Sequence, residues 1–193
     1  MIGSLEGRLE SKTKKFVLIN VGGVGYKVFI SPETLSKLPE IDSPVKLYTS
    51  LEVREDAQEL YGFLTPEELT FYEMLRTVSG IGPKTALAIL SLAPVQILAS
   101  AIINKDTAFL TKVSGIGRKT AERVVLDLKD RVSELGFKET AVSKKDSDLI
   151  EALTKMGYGV RESAEALAAV EPTIEGEGAR LKAALKILDK SRR

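Results

Sequence analysis

Up to residue 63 the apolar positions fall in short clusters of high β propensity separated by turn residues. Phe16-Val17-Leu18-Ile19-Asn20-Val21 and Tyr26-Lys27-Val28-Phe29-Ile30 flank Gly22-Gly23-Val24-Gly25, which predicts two strands joined by a glycine-rich turn. Residues 45–53 and 58–63 form a second such pair, and residues 2–9 an opening strand. Five short strands predict a small barrel. A partly open Greek-key barrel of the OB type leads, with a small SH3-like barrel as the alternative. Ser31-Pro32-Glu33 starts a turn or two of helix between the third and fourth strands.

At Thr65-Pro66-Glu67-Glu68 the pattern changes to a helical period. Thr65 suits an N-cap, Pro66 the first helical position, and Glu68 the closing member of a capping box. Helices are predicted over 66–77, 83–92, 95–104, 107–111 and 118–134. Residues 136–147 lack hydrophobic periodicity and are rich in Lys, Ser and Thr, as a flexible linker would be. Helices over 148–156, 160–170 and 176–190 then place Leu149, Ile150, Leu153, Ala164, Leu167, Leu181, Leu185 and Leu188 at helical spacing as one core. Met156 and Tyr158 fall in a loop, where they suit a core edge or an exposed contact. The chain therefore reads as an α+β multidomain protein. Residues 1–63 are an OB-like barrel, 64–135 an all-α domain, 136–147 a linker and 148–193 a three-helix bundle.

One motif occurs twice. Val78-Ser79-Gly80-Ile81-Gly82-Pro83-Lys84-Thr85-Ala86 returns as Val113-Ser114-Gly115-Ile116-Gly117-Arg118-Lys119-Thr120-Ala121, with Leu75 and Leu110 matched ahead of it. Two glycines around an isoleucine give a turn open to backbone conformations closed to other residues, and the helix that follows aims its unpaired N–H groups outward. Such a turn suits an anion, phosphate above all, because amides, helix dipole and a lysine converge on it. A nucleotide-binding P-loop would need Gly directly before Lys-Thr, where Pro83 and Arg118 stand. A dinucleotide fingerprint would need a third glycine where Thr85 and Thr120 stand, and a strand ahead of it. Glycines that merely end helices explain one copy; they do not explain why Lys-Thr-Ala is retained in both.

Composition narrows the chemistry. The 193 residues contain neither Cys nor His, which removes disulfides, thiolate nucleophiles, the commonest general base and the usual zinc ligands. No catalytic residue, cofactor or metal is expected. There is no apolar run of membrane-spanning length, and Met1-Ile2-Gly3-Ser4-Leu5 leads into charged residues, so a cytoplasmic protein without membrane association is expected. A net charge of only +1 means that basic character must be local. It is concentrated between Lys112 and Arg123, where Lys112, Arg118, Lys119 and Arg123 face Glu122 alone for a net +3.

The paired Gly-Ile-Gly turns resemble helix-hairpin-helix motifs. Together with Val21-Gly22-Gly23-Val24-Gly25-Tyr26, Val53-Arg54-Glu55-Asp56-Ala57-Gln58, Leu60-Tyr61-Gly62-Phe63 and Lys119-Thr120-Ala121-Glu122-Arg123, they make the whole chain resemble the RuvA family of bacterial Holliday-junction-binding subunits. The last bundle, with its Met-Gly-Tyr loop, is similar to ubiquitin-associated domains. The resemblance implies a homotetramer, or an octamer of two facing tetramers, that holds a four-way DNA junction open and flat in recombination and repair. It implies a non-catalytic subunit that recruits the RuvB ATPase through its third domain, with the RuvC resolvase as a further candidate partner.

On that resemblance Gly80, Gly82, Lys84, Thr85, Gly115, Gly117, Arg118, Lys119, Thr120 and Arg123 bind DNA phosphates. Glu55 and Asp56 form an acidic pin at the junction's centre, and Leu153, Met156, Tyr158 and Leu185 form the motor-docking surface, although Leu153 and Leu185 also belong to the predicted core. As a metal site the acidic pair is poor, having no third acidic ligand nearby in sequence. Two other classes compete. A helix-hairpin-helix glycosylase or nuclease would need a base pocket for which there is no obvious insertion. A single-strand-binding scaffold would stack bases on Phe16, Tyr26 and Phe29, which equally suit the core.

Overall fold

The computed structural model describes residues 1–135, 144–171 and 173–191. Met1–Ser91 form one compact unit and Leu92–Arg193 a second. In the first, strands β1 (Ser4–Lys12), β2 (Phe16–Val21), β3 (Val24–Phe29), β4 (Pro44–Val53) and β5 (Gln58–Phe63) close into a barrel of order β1-β2-β3-β5-β4. The OB-like reading holds, with the difference that the barrel is closed: β4 pairs with β1, and β3 with β5 in parallel through Val28–Leu60 and Phe29–Tyr61. Leu5, Leu9, Val17, Ile19, Val28, Val45, Leu47 and Leu60 alternate inward and are buried, as half-buried antiparallel strands require. β1 runs three residues beyond its predicted end because Ser11 and Lys12 still pair with Leu18 and Val17 past a register shift. That shift carries no apolar residue, so the hydrophobic pattern is silent there.

Two glycines are demanded by packing. A Cβ at Gly62 would stand 2.5 Å from Val28 Cγ1, and one at Gly7 would collide with the Asn20 carbonyl of the neighbouring strand. Between β3 and β4 the short helix α1 (Pro32–Lys37) starts at Ser31, whose hydroxyl accepts the Thr34 N–H at 2.9 Å.

Helix α2 (Pro66–Thr77) packs on β4 and β5. Thr65 caps it, accepting the Glu68 N–H at 3.2 Å. The reciprocal half of the predicted box is displaced by one residue, since the Glu68 carboxylate accepts from Leu64 N–H at 3.0 Å. Tyr72 of α2 stacks on Tyr61 with ring centres 5.6 Å apart and meets Phe63 at 4.8 Å, so the barrel's outer aromatic face is covered by α2. Phe29 stacks on Tyr61 in turn, and Phe16 meets Phe29 edge-on with Lys27 over both rings. Helix α3 (Pro83–Leu92) follows.

In the second unit α4 (Val95–Ile103), α5 (Thr107–Leu110) and α6 (Arg118–Glu134) pack on one another around Leu98, Ile102, Phe109, Val124 and Leu128. Helices α7 (Lys144–Lys155), α8 (Val160–Ala168) and α9 (Glu177–Ser191) form the three-helix bundle, with Leu149, Ile150, Leu153, Ala164, Leu167 and Leu188 buried. Leu181 and Leu185 are half-buried. Of the predicted linker, residues 136–143 lie outside the described residues, whereas residues 144–147 already belong to α7. Lys144, Lys145, Asp146 and Ser147 are all polar residue types, so hydrophobic periodicity has no sign of them and places the start later.

Candidate nucleic-acid interface

Both copies of the repeat adopt one backbone design. In the first, Val78 N–H donates to Leu75 O at 3.1 Å and Ile81 N–H to Val78 O at 3.1 Å; in the second, Val113 N–H donates to Leu110 O at 3.2 Å and Ile116 N–H to Val113 O at 3.1 Å. Val78, Ile81, Val113 and Ile116 are buried and anchor the turns, while Ser79, Gly80, Ser114, Gly115 and Gly117 face outward. Each following helix closes its first turn on the second glycine: Ala86 N–H reaches Gly82 O at 2.9 Å and Ala121 N–H reaches Gly117 O at 3.0 Å.

The two glycines of a turn have different reasons to be there. Gly80 and Gly115 sit at φ +92° and +88°, in the left-handed region that favours glycine. Gly117 has φ −84° and ψ 169°, and Gly82 is likewise absent from the positive-φ residues; the conformational freedom expected of both positions is used at the first alone. At Gly82 and Gly117 an added Cβ would find no protein atom within 4 Å, so nothing inside the protein calls for glycine there.

Around the turns the donors are available. Gly117 caps α6 without a side chain, so the first-turn amides, including those of Lys119 and Thr120, keep their outward donors. Pro83 removes one such donor from the first turn. Lys84, Arg118, Lys119 and Arg123 are exposed, and Thr85 and Thr120 are half-buried beside them. Arg118 pairs with Glu122 at 2.9 Å and Arg123 with Asp127 at 4.0 Å. These are exposed i,i+4 pairs worth about 0.3–0.5 kcal/mol, too little to hold the guanidinium groups away from a phosphate. Lys112 lies 5.3 Å above the Phe109 ring.

The acidic pair stands at the tip of the β4–β5 hairpin. Val53 pairs with Gln58, and Arg54 N–H closes the turn on Ala57 O at 2.8 Å. Glu55 and Asp56 are exposed. Arg54, next in sequence, is drawn away from them: its guanidinium binds Glu59, which also accepts from Tyr61 OH at 3.0 Å. Burial and that carboxylate push the Tyr61 hydroxyl up to about 12.

Sequence reasoning missed the group beneath this arm. Glu52, on β4, accepts from Arg76 Nε and Nη2, both at 2.9 Å, and from Tyr72 OH at 3.2 Å. The third guanidinium nitrogen, Nη1, donates to the carbonyl of Ile81 inside the first turn. The hydrogen bonds from Arg76 hold the Glu52 carboxyl below its ordinary value, against the opposing effect of burial. Burial, and then the charge of Glu52, push the Tyr72 hydroxyl upward. The only sequence sign was a basic residue in the last turn of α2, which also suits the helix dipole.

Because the folded state lowers the Glu52 carboxyl, its contribution is complete above the free value of about 4.3 and is lost as pH falls through the lower folded value. Glu52→Gln is therefore expected to flatten the acid limb of thermal stability at pH values below about 4.3, the free value. Melting curves across that range check it, and an acid limb identical to wild type would show that this bridge contributes nothing.

In the three-helix bundle Leu153 has no exposed surface, so it belongs to the core and is not available as a docking contact. Met156 is 57% exposed beside Gly157, which ends α7 at φ +94°. Tyr158 and Leu185 are half-buried, and Tyr158 OH donates to Asp189 at 3.3 Å.

Phe16 and Phe29, candidates for base stacking, are cross-strand partners already engaged with each other; Tyr26 is half-buried and pairs with Ile19 across the same strands.

A closed barrel bearing an acidic arm, followed by duplicated turns that present amides and cations, defines a helix-hairpin-helix protein. Residues 1–62 match the RuvA N-terminal domain, and residues 72–130 match the SAM-like helix-hairpin-helix tandem. Curated relatives named "Holliday junction branch migration complex subunit RuvA" include one from Acidovorax ebreus, 43% identical over 98% of this chain and 100% of that protein. Those from Methylibium petroleiphilum and Acetivibrio thermocellus are 44% and 41% identical over 97% and 88% of the chain, and over 99% and 90% of their own lengths. The chain belongs to the RuvA family.

Proposed function

We propose that this chain is the junction-binding subunit of a Holliday junction branch migration complex, holding four-way DNA open as a homotetramer and contributing no catalytic group. The observation that carries this reading is the pair of glycines, Gly82 and Gly117, over which the protein leaves open space. On this reading a side chain there would meet a phosphate lying directly on the helix amides, the group that the surrounding donors suit. Backbone amides and lysines bind phosphate without reading base edges, as a protein following a migrating junction must do. Glu55 and Asp56 would then repel continuous duplex from the tetramer's centre. The bundle over 148–193, with Met156, Tyr158 and Leu185 at its surface, would dock the RuvB ATPase, which performs the ATP hydrolysis.

Titrations against a four-way junction, a duplex of equal length and a single strand, over increasing salt, test the reading. The junction is expected to bind tightest and indifferently to base sequence, with a log–log salt slope near 0.9 per neutralised phosphate. A chain ending at residue 135 should keep that binding and lose stimulation of RuvB. Equal affinity for junction and duplex would overturn the junction assignment, and full stimulation by the shortened chain would overturn the docking assignment.

A further inference from the structure

The two turns share a backbone but not their support. Leu75 and Leu110 are the matched buried residues ahead of them, so the position equivalent to Arg76 is Thr111. Thr111 spends its hydroxyl on Ala108 O, one turn back in its own helix, at 2.9 Å. Arg76 reaches outward. Its Nε and Nη2 hold both oxygens of Glu52, while Nη1 holds the Ile81 carbonyl between the two glycines of the first turn. Glu52 lies three residues before the acidic tip, on the strand that carries it. One guanidinium therefore spans the interval from the arm bearing Glu55 and Asp56 to the first phosphate-binding turn.

The guanidinium is suited to that task. It is planar, permanently charged and rigid across its fork, so two parallel bonds to a carboxylate fix its orientation and leave the third nitrogen aimed at one place. The group is largely shielded, with side-chain exposures of 28% for Arg76 and 18% for Glu52, and Tyr72 OH occupies a further acceptor position on the carboxylate. The first turn is correspondingly poorer in its own means of gripping an anion. Pro83 removes an amide donor and Lys84 is its single cation, whereas the second turn has Arg118, Lys119 and Arg123.

We propose that Arg76 is a positioning residue that straps the first phosphate-binding turn to the acidic arm, so that the first turn works by fixed geometry and the second by charge. The proposal rests on the junction-binding reading, because a set interval between a repelling tip and an attracting turn matters only for a ligand that meets both. A strand passing through the first turn is thereby held at a defined distance from Glu55 and Asp56, and selectivity for the junction depends on residues that touch no DNA.

The test uses the full chain as wild type, Arg76→Lys, Glu52→Gln and the double variant. Lysine keeps the charge but cannot hold two carboxylate oxygens and a carbonyl together; glutamine keeps the shape of Glu52 and loses its charge. Affinities for a four-way junction and for duplex are measured together with amide hydrogen exchange over residues 79–86 and 114–121. Each single variant is expected to lower the junction-to-duplex ratio by about 3- to 30-fold. The double variant should be no worse than the weaker single, since both break one strap. Exchange should quicken over residues 79–86 and stay unchanged over 114–121, a contrast that a general loss of stability would not produce. An unchanged ratio, additive losses, or exchange rising equally in both turns overturns the proposal. If wild type itself shows no preference for the junction, the junction-binding reading fails, and the exchange contrast still decides whether Arg76 straps the turn.

Discussion

Replacing Gly82 and Gly117 together by valine is expected to weaken junction binding by about 100-fold or more while leaving the fold intact. Both positions have open space where a Cβ would go, and neither needs the left-handed region, so a β-branched residue fits the protein. It does not fit a phosphate lying on the amides behind it. Losing one charge-assisted contact at each turn, at about 1.5 kcal/mol apiece, corresponds to roughly two powers of ten. Lys84→Ala removes a point charge and leaves the amide cradle, and should cost about 10-fold or less. The contrasting pair is Gly80→Val and Gly115→Val, which must hold φ near +90° and should each lower stability by about 1–3 kcal/mol. Gel-shift titration and thermal melting of the four variants separate the two kinds of glycine. Wild-type affinity in the Gly82→Val, Gly117→Val protein would remove the phosphate cradle from the account.

Neutralising the arm has the opposite sign. Glu55→Gln with Asp56→Asn is expected to raise affinity for duplex by about 10-fold at low salt and to leave junction binding at least as tight, so the junction-to-duplex ratio falls. The arm is built to deliver unneutralised charge. Arg54, the one cation in the turn, is committed to Glu59 and not to its acidic neighbours, and both carboxylates are exposed. A penalty on the wrong ligand is how a protein that reads no bases obtains selectivity. An unchanged ratio would leave Glu55 and Asp56 as an ordinary solvated turn.

Much of this was legible in the sequence, for identifiable reasons. The hairpins β2–β3 and β4–β5 announce themselves because strand, turn and strand are contiguous. The repeat is legible because two copies expose what one would hide. Closure of the barrel through the parallel β3–β5 pair is not, since Val28 and Leu60 belong to different hairpins and no local pattern relates them. Nor does the sequence distinguish Gly80 from Gly82, as both are compatible with either role. The Glu52–Arg76 bridge was invisible for a third reason. Its partners are 24 residues apart and each is unremarkable where it stands, a charged residue on a strand and a basic residue near a helix end. The change of period at Thr65 marks a change of secondary structure, yet the compact unit continues to Ser91 because α2 lies on the barrel.

That overlap bears on how the chain is made. Residues emerge in order during synthesis at about 5–20 per second, so the barrel's last strand leaves the ribosome before the helix that covers it. Until Tyr72 arrives, the rings of Tyr61 and Phe63 lack the ring they contact at 5.6 and 4.8 Å. For that interval the nascent chain displays an uncovered aromatic face, and a fragment ended after residue 63 would display it permanently. The barrel's outer aromatic face is thus completed by a helix that the barrel itself does not contain. Through Arg76, which joins Glu52 of β4 to the Ile81 carbonyl, the same unit is tied to the first Gly-Ile-Gly turn as well.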